Sequence, residues 1–226
     1  MAVDDQYTVS LQHFDGNLND ESGKVWTTYG GAAFSTTRSK FGSGSLYLPS
    51  SSASYLSIPK TTLPLSGNFT FETWLYLTDS SSGTQTIFGD SNNSSTTSMS
   101  LDVVAENDHI LFRVGYGGDF VINVQSAATV TSYLNSWIHI AVARSEILYY
   151  FFINGSLVGN GAASATNAGQ DYWFIGSGIY GKFPLRNAYV DEVRFSAVPR
   201  YLGAFTPQAA PFAAQNLWLP QPQIFF

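Results

Sequence analysis

Apolar and polar residues alternate along most of this chain with the period of two that marks a half-buried β-strand, and 3.6-residue stripes are almost absent. In "NFTFETWLYL", Phe69, Phe71, Thr73, Leu75 and Leu77 share one face, and Thr70, Glu72, Trp74 and Tyr76 the other. "MSLDVV" sets Met99, Leu101 and Val103 against Ser100 and Asp102. "HILFRV" does the same with Ile110, Phe112 and Val114, and "WIHIAVAR" with Ile138, Ile140 and Val142. In "LYYFFINGSLVG" the pair Asn154-Gly155 is what a type I′ hairpin turn demands, because both central residues need positive φ. "DYWFIGS" and "AYVDEVRF" complete the series. Clusters of Gly, Ser and Asn such as "SSSGTQ", "GDSNNSSTTS" and "GYGGD" separate the runs. The pattern predicts roughly a dozen strands and no helix beyond a turn or two, hence one all-β domain folded as an antiparallel two-sheet sandwich.

Composition narrows the function classes. The chain of 226 residues is 44% hydrophobic and 15% aromatic, ample for a core, but only 12% charged, so neutral polar groups cover most of its surface. A net charge of −6, with the basic residues scattered singly, excludes nucleic-acid partners, which require clustered Lys and Arg. Absence of Cys removes disulfides, thiolate nucleophiles and zinc–thiolate sites. The longest apolar run, "ILYYFFI", is far shorter than the ~20 residues of a spanning helix, so no membrane insertion is expected. "MAVDDQYTVS" lacks the basic and apolar regions of a secretory signal.

Catalytic signatures are equally sparse. A glycosidase needs a pair of carboxylates flanking the scissile bond, and the strand-borne form found in the family that this chain resembles (named below) is E-x-D-x-x-E. The chain has five Glu, none in that arrangement: Glu106 and Asp108 are followed by Leu111 where the second Glu belongs. Asp191 and Glu192 are adjacent, and in a regular strand would project to opposite faces. No G-x-S-x-G occurs. His13, His109 and His139 are isolated, without zinc spacing, and His139 reads as a structural residue of its strand. A saccharide site would need an exposed aromatic ring to stack on a sugar and nearby Asp or Asn to bond its hydroxyls. The loops supply three such groupings: Asp90 with Asn92 and Asn93, Tyr116 with Asp119, and Tyr180 with Lys182.

The order of several pieces, "LQHFDGNLNDESGKVW", "SKFGSGSLYLPSSSASYLSIP", "FTFETWLYL", "NSWIHIAVAR", "FFINGSLVG", "WFIGSG" and "DEVRFSAVPRYLGAFTP", resembles that of laminin-G-like jelly-roll domains of the concanavalin A-like lectin/glucanase superfamily. The closing segment looks like the version found in tailed-phage virion proteins. The resemblance covers residues 7–207 and implies a jelly-roll sandwich there, after an N-terminal lead-in of residues 1–6. It implies that "DEVRF" pairs beside "LQHF", with Tyr201 and Phe205 covering the sandwich edge. It also raises a structural Ca²⁺ on Asp15, Gly16 and Asp191, against the alternative of no cofactor and plain turn and backbone bonds.

Residues 208–226 form an apolar, Pro-containing segment that reads as an arm for a partner, through Phe212, Leu217, Trp218, Leu219, Ile224, Phe225 and Phe226. The expectation is therefore a non-enzymatic structural protein of a phage virion, made in the host cytoplasm. It would be a capsid decoration or a tail- or fibre-associated subunit, docking on other virion proteins or on itself as a homo-oligomer, and in some settings on a host-surface glycan. The alternatives are a free-standing carbohydrate-binding lectin and, third, a glycoside hydrolase or lyase.

Overall fold

The fold comes from a computed structural model, which describes residues 6–80, 83–90, 98–116, 119–164 and 171–213. Within these residues the strands are β1 (Thr8–Gln12), β2 (Thr27–Tyr29), β3 (Ala33–Ser35), β4 (Ser45–Leu48), β5 (Tyr55–Pro59), β6 (Phe69–Leu77), β7 (Thr84–Gly89), β8 (Ser98–Val104), β9 (His109–Tyr116), β10 (Asp119–Gln125), β11 (Trp137–Ser145), β12 (Leu148–Ile153), β13 (Ser156–Ala162), β14 (Tyr172–Ile175) and β15 (Ala188–Ser196). The only helical turns among the described residues are two short 3₁₀ pieces, Val130–Tyr133 and Ile179–Gly181. All strand pairings are antiparallel.

Two sheets result. An eight-stranded sheet runs β13-β12-β11-β6-β15-β4-β3, with β1 also on β15; a seven-stranded sheet runs β10-β9-β8-β7-β14-β5-β2. The predicted inward faces meet between them. Phe69, Phe71, Leu75, Ile138, Ile140 and Val142 from the first sheet pack with Leu101, Val103, Ile110, Phe112, Leu56, Ile58, Trp173 and Ile175 from the second. Aromatic rings weld the middle: Phe71 and Phe88 stack at 4.2 Å, and Phe195 lies 5.1 Å from Phe71. This is the two-sheet sandwich that the alternation predicts.

β15 is a central strand, flanked along its length by β6 and on its other side first by β4 and then by β1. The hand-over is made by a bulge between Asp191 and Arg194, where Glu192 adopts a left-handed φ of 52°. The strict alternation that would send Asp191 and Glu192 to opposite faces does not hold at this bulge. Asp191 instead accepts the amides of Lys40 and Phe41 at 2.7 and 3.2 Å, and Glu192 receives the His13 ring at 2.8 Å and the amide of Phe212 at 2.7 Å.

Two further expectations change. After Pro199 the chain does not run along the sandwich edge; it folds over the outer face of the eight-stranded sheet. Tyr201 and Phe205 stack on each other at 3.5 Å, and Phe205 meets Phe152 and His139 at 5.4 and 5.7 Å. The reason lies at the β12–β13 turn: Asn154 and Gly155 have φ of 49° and 75°, as the hairpin signal predicts, and the Gly155 carbonyl accepts the Phe205 amide at 2.9 Å. A Cβ on Gly155 would collide with the Phe205 carbonyl, so the same glycine closes the hairpin and docks the returning chain. Phe212, expected in a partner-binding arm, is buried on its own domain, its ring 3.8 Å from the Arg194 guanidinium. A planar, weakly hydrated guanidinium is a ready stacking partner for a ring. Leu217, Trp218, Leu219, Ile224, Phe225 and Phe226 lie outside the described residues.

Candidate functional site

The carboxylates come first, because they decide whether hydrolytic chemistry has any footing. Glu72 is fully buried and takes Arg194 through both Nε and Nη2 (2.9 and 2.7 Å) and the Tyr201 hydroxyl (2.9 Å), with His139 Nε2 at 3.3 Å. Burial pushes its carboxyl up, but Arg194 and His139 outweigh that and leave it below the ordinary value. The Tyr201 phenol is raised, by burial first and then by the Glu72 charge. Asp102 is held by Arg113 at 2.6 Å and by Thr86 and Ser100, both at 2.7 Å. Asp20 receives the Ser10 hydroxyl, the Ser22 amide at 2.7 Å and the Trp26 indole at 3.1 Å. These acids are bonded into the frame.

The candidate groupings fare differently. Asp90 is buried; it pairs with Lys60 and accepts the Met99 amide at 2.7 Å, and burial raises its carboxyl despite the lysine. Its carboxylate is therefore committed to contacts within the sheet. Asn92 and Asn93 lie outside the described residues. Tyr116 and Asp119 are backbone partners in the β9–β10 pairing, and Asp119 is exposed. Tyr180 and Lys182 are both exposed on the loop after β14.

For calcium the residues present fit poorly. Asp191 accepts backbone amides from Lys40, Phe41 and Glu192, and Asp15 accepts the Ser43 amide, so both acids grip the turn at Gly42–Gly44. Gly42 is needed there because a Cβ would strike the Asp15 carboxylate, and Gly16, at φ 91°, lets the chain leave. Amide hydrogens occupy positions where a hard cation would require six to eight oxygens. Among the described residues no group of three or more His, Asp or Glu converges on a metal position.

The face that remains open carries rings. In β5 and β14 the alternation puts Leu56, Ile58, Trp173 and Ile175 in the core, which turns Tyr55, Ser57, Tyr172 and Phe174 outward on the seven-stranded sheet. The pairing sets Tyr29 directly across from Tyr55 and Phe174 across from Ser57. Tyr29 and Tyr55 stack at 4.5 Å and 14°, and Phe174 meets Tyr55 and Tyr180 edge-on, each at 5.8 Å. The six residues Tyr29, Tyr55, Ser57, Tyr172, Phe174 and Tyr180 enclose a recess of about 230 Å³. Tyr55 is raised by burial first and then by the phenols of Tyr29 and Tyr180, which therefore face the same space.

Tyr180 is the exposed member, at 63%, and its backbone is left-handed (φ 48°, ψ 44°), an outlier for a bulky side chain. The loop can impose this because it is tied on both sides. Gly178 donates to the Lys182 carbonyl at 2.7 Å, Leu185 is buried and donates to Gly176 at 2.8 Å, and Thr86 donates to Phe183 at 2.7 Å. Gly181 sits where a Cβ would press on the Tyr55 ring. Sequence reasoning found Tyr180 and Lys182 but missed Tyr29, Tyr55, Tyr172 and Phe174. The available signal was aromatic residues standing at the polar positions of the alternation in "SYLSIP" and "DYWFIG".

A second, wider recess of about 670 Å³ lies between His109, Ser126, Tyr133 and the β12–β13 turn; no carboxylate lines it or the aromatic recess. With the two-sheet architecture in hand, residues 50–200 match the sequence model of the concanavalin A-like lectin/glucanases superfamily. The chain belongs to that superfamily. No curated protein matches it in sequence. Similar solved structures of this superfamily member include the botulinum neurotoxin serotype D binding domain (TM-score 0.64, 12% identity, covering 85% of this chain and 49% of that one) and the binding domain of Paraclostridial Mosquitocidal Protein 1 (TM-score 0.65, 15% identity, 86% and 50%). A third is the binding domain of botulinum neurotoxin DC in complex with rat synaptotagmin II (TM-score 0.66, 13% identity, 88% and 50%). At such identities the likeness is one of fold, and the chain spans about half the length of these structures.

Proposed function

We propose that the protein is a non-enzymatic binding module that acts by surface docking, as a structural subunit of a phage particle: a capsid decoration or a tail- or fibre-associated protein. The observation that carries the binding reading is the aromatic recess, rimmed by exposed Tyr29 and Tyr180 over buried Tyr55 and Phe174, on a frame whose buried carboxylates are committed to structure. Similar folds serve as binding domains, one in complex with rat synaptotagmin II and one with SialylT. The virion setting rests on the closing segment Asp191–Pro207, which resembles that of tailed-phage proteins. Its partners are other virion proteins or further copies of itself, with a host-surface glycan as the external ligand.

Sedimentation of particles from a lysate in which the chain is made tests the setting. Recovery with the particles at fixed stoichiometry supports it, and recovery only in the supernatant overturns it. In light scattering of the purified chain, a discrete oligomer supports self-association, and a monomer at all concentrations removes that part. The second reading, a free-standing lectin, draws on the same recess and predicts saccharide binding without particle association.

A further inference from the structure

Basic side chains of this protein rest on aromatic rings in several parts of the fold. Arg38 lies over Tyr76, Lys40 over Trp74, Lys60 over Trp173, Arg113 over Phe120, Arg144 over Tyr149 and Arg194 over Phe212, at centroid distances from 3.8 to 5.2 Å. Each ring face carries the negative end of a quadrupole, which attracts a cation placed within ~6 Å. The aromatic recess is built differently. Its lining is Tyr29, Tyr55, Ser57, Tyr172, Phe174 and Tyr180, five rings with no charged side chain among them. The protein brings neither a cation nor a carboxylate to this lining.

The rings are set in crossing directions around one small space. Tyr29 and Tyr55 lie within 14° of parallel, while Phe174 is inclined by 66° to Tyr55 and by 77° to Tyr180. Tyr55, Ser57 and Phe174 are buried and make the floor; Tyr29 and Tyr180 are exposed at the rim, and Tyr172 is half-buried. The loop that carries Tyr180 is tied at Gly178, Thr86 and Leu185, and it holds that residue in a left-handed conformation. Backbone strain of this kind gathers at ligand clamps. A rim ring fixed in advance avoids the ordering cost that weakens binding by mobile side chains. At about 230 Å³ the recess falls below the ~300–1,000 Å³ of pockets that take drug-sized molecules, a size suited to one compact group.

The lining selects among charged groups. An anion finds no cation there, and the chain's net charge of −6 opposes its approach. A primary ammonium or a guanidinium brings several N–H donors and, once desolvated, calls for a counter-charge that the lining lacks. A quaternary ammonium spreads its charge over methyl groups and has no N–H to satisfy, so ring faces alone can hold it. We infer that the recess binds a quaternary methylammonium head group of the choline type, its methyls held between the Tyr29 and Tyr180 rings above the floor of Tyr55 and Phe174. The inference rests on the binding-module reading and names the chemical group that its recess takes.

The test is ligand-observed NMR and calorimetry on the full chain with choline, tetramethylammonium, ethanolamine, 3,3-dimethylbutan-1-ol (the uncharged isostere of choline) and methyl glucoside. Choline and tetramethylammonium are expected to bind, with the uncharged isostere and ethanolamine each weaker by about tenfold or more. Tyr180→Ala and Tyr29→Ala should each weaken choline by about tenfold, while Tyr180→Phe, which keeps the ring face, stays within about threefold. Circular dichroism and thermal melts confirm that each variant is folded. Flotation with phosphatidylcholine vesicles, lost in Tyr180→Ala, supports the inference with a lipid head group as the source; choline binding without flotation supports it with a soluble ligand. Equal binding of the uncharged isostere, preference for ethanolamine, or choline binding unchanged in both alanine variants overturns it. Binding of methyl glucoside in place of choline overturns it in favour of the lectin reading. If none of these probes binds yet the chain still sediments with particles, the inference fails and the docking reading stands.

Discussion

The two outer faces of the sandwich begin from the same sequence pattern and end in opposite states. On the eight-stranded sheet, β6 alternates Thr70, Glu72, Trp74 and Tyr76 outward, yet all nine residues of the strand are buried. Two segments roof this face. The turn around Arg38–Gly44 lays Lys40 over Trp74 at 3.8 Å and Arg38 over Tyr76 at 4.4 Å. The chain from Ala197 to Phe212 covers Glu72, Arg194, Phe152 and His139. On the seven-stranded sheet, Tyr29 and Tyr180 are exposed at the rim of the recess, while Tyr55 and Phe174 lie buried beneath them. A charge under a roof has to be paired, because a buried unpaired charge is far costlier than a paired one, and Glu72 is paired with Arg194. The exposed rings of Tyr29 and Tyr180 carry no such demand and are free to meet a ligand. Substitutions on the first face should therefore cost stability, and those on the second should cost binding.

The largest effect is expected from Arg194→Ala. It leaves Glu72 buried without its bidentate partner and removes the platform under Phe212, and should lower unfolding free energy by ~3–5 kcal/mol in chemical denaturation. A loss below ~1 kcal/mol would mean that the roofed face tolerates an unpaired acid, and the contrast between faces would collapse.

The next effect is one of pH. Burial raises Asp191 to about 7 against the pull of the Lys40 and Phe41 amides. The unfolded chain releases this proton near the ordinary carboxylate value while the folded protein keeps it, so stability falls as pH rises from about 4 to about 7. His13 has the same sign: burial lowers it, but the hydrogen bond and charge of Glu192 prevail and leave it raised. Its contribution is present below its unfolded value, ~6.5, and is lost as pH rises through the folded one. Glu72 opposes them only in acid, since its lowered value makes its contribution vanish as pH falls through the carboxylate range. At about 1.4 kcal/mol per unit, the Asp191 contribution is at most ~4 kcal/mol. Melting curves from pH 5 to 8 should decline for the native chain and flatten for Asp191→Asn; equal slopes would remove Asp191 from the account.

Tyr201→Phe should cost less, ~1.5–3 kcal/mol, the worth of a hydrogen bond to a charged group. The ring stack on Phe205 remains, so the returning chain stays docked. Limited proteolysis between residues 197 and 213 would reveal a detached roof if that is mistaken.

The legibility of the two faces differed for the same reason. Alternation fixes which side chains enter the core, and Phe69, Phe71, Leu101, Phe112 and Ile140 were readable from it. It also gave the Asn154-Gly155 turn, whose chemistry is local. It could not reveal the roof, because the contacts of Glu72 with Tyr201 and of Glu192 with Phe212 join distant parts of the chain through a bulge that breaks the period. For the same reason Phe212 read as part of an arm, when the Arg194 guanidinium was waiting beneath it. The aromatic recess sits between these cases. Its strand residues were visible as rings at polar positions, but bringing β2, β5 and β14 side by side required the sheet order, in which strands distant in sequence become neighbours.

The smallest effect on stability is expected where the effect on binding is large. Tyr180 occupies a left-handed conformation that glycine adopts without steric cost, so Tyr180→Gly relieves strain. Glycine also makes the unfolded chain more mobile, and the edge contact with Phe174 is lost, both of which oppose the gain. The sum should stay within about 1 kcal/mol of zero in denaturant midpoints. Affinity for choline should nonetheless fall by about tenfold. Tyr180 is 63% exposed, so removing its ring takes little from the packed interior. If Tyr180→Gly instead destabilised the protein by several kcal/mol, Tyr180 would belong with the roofed residues, and the open face would be structural too.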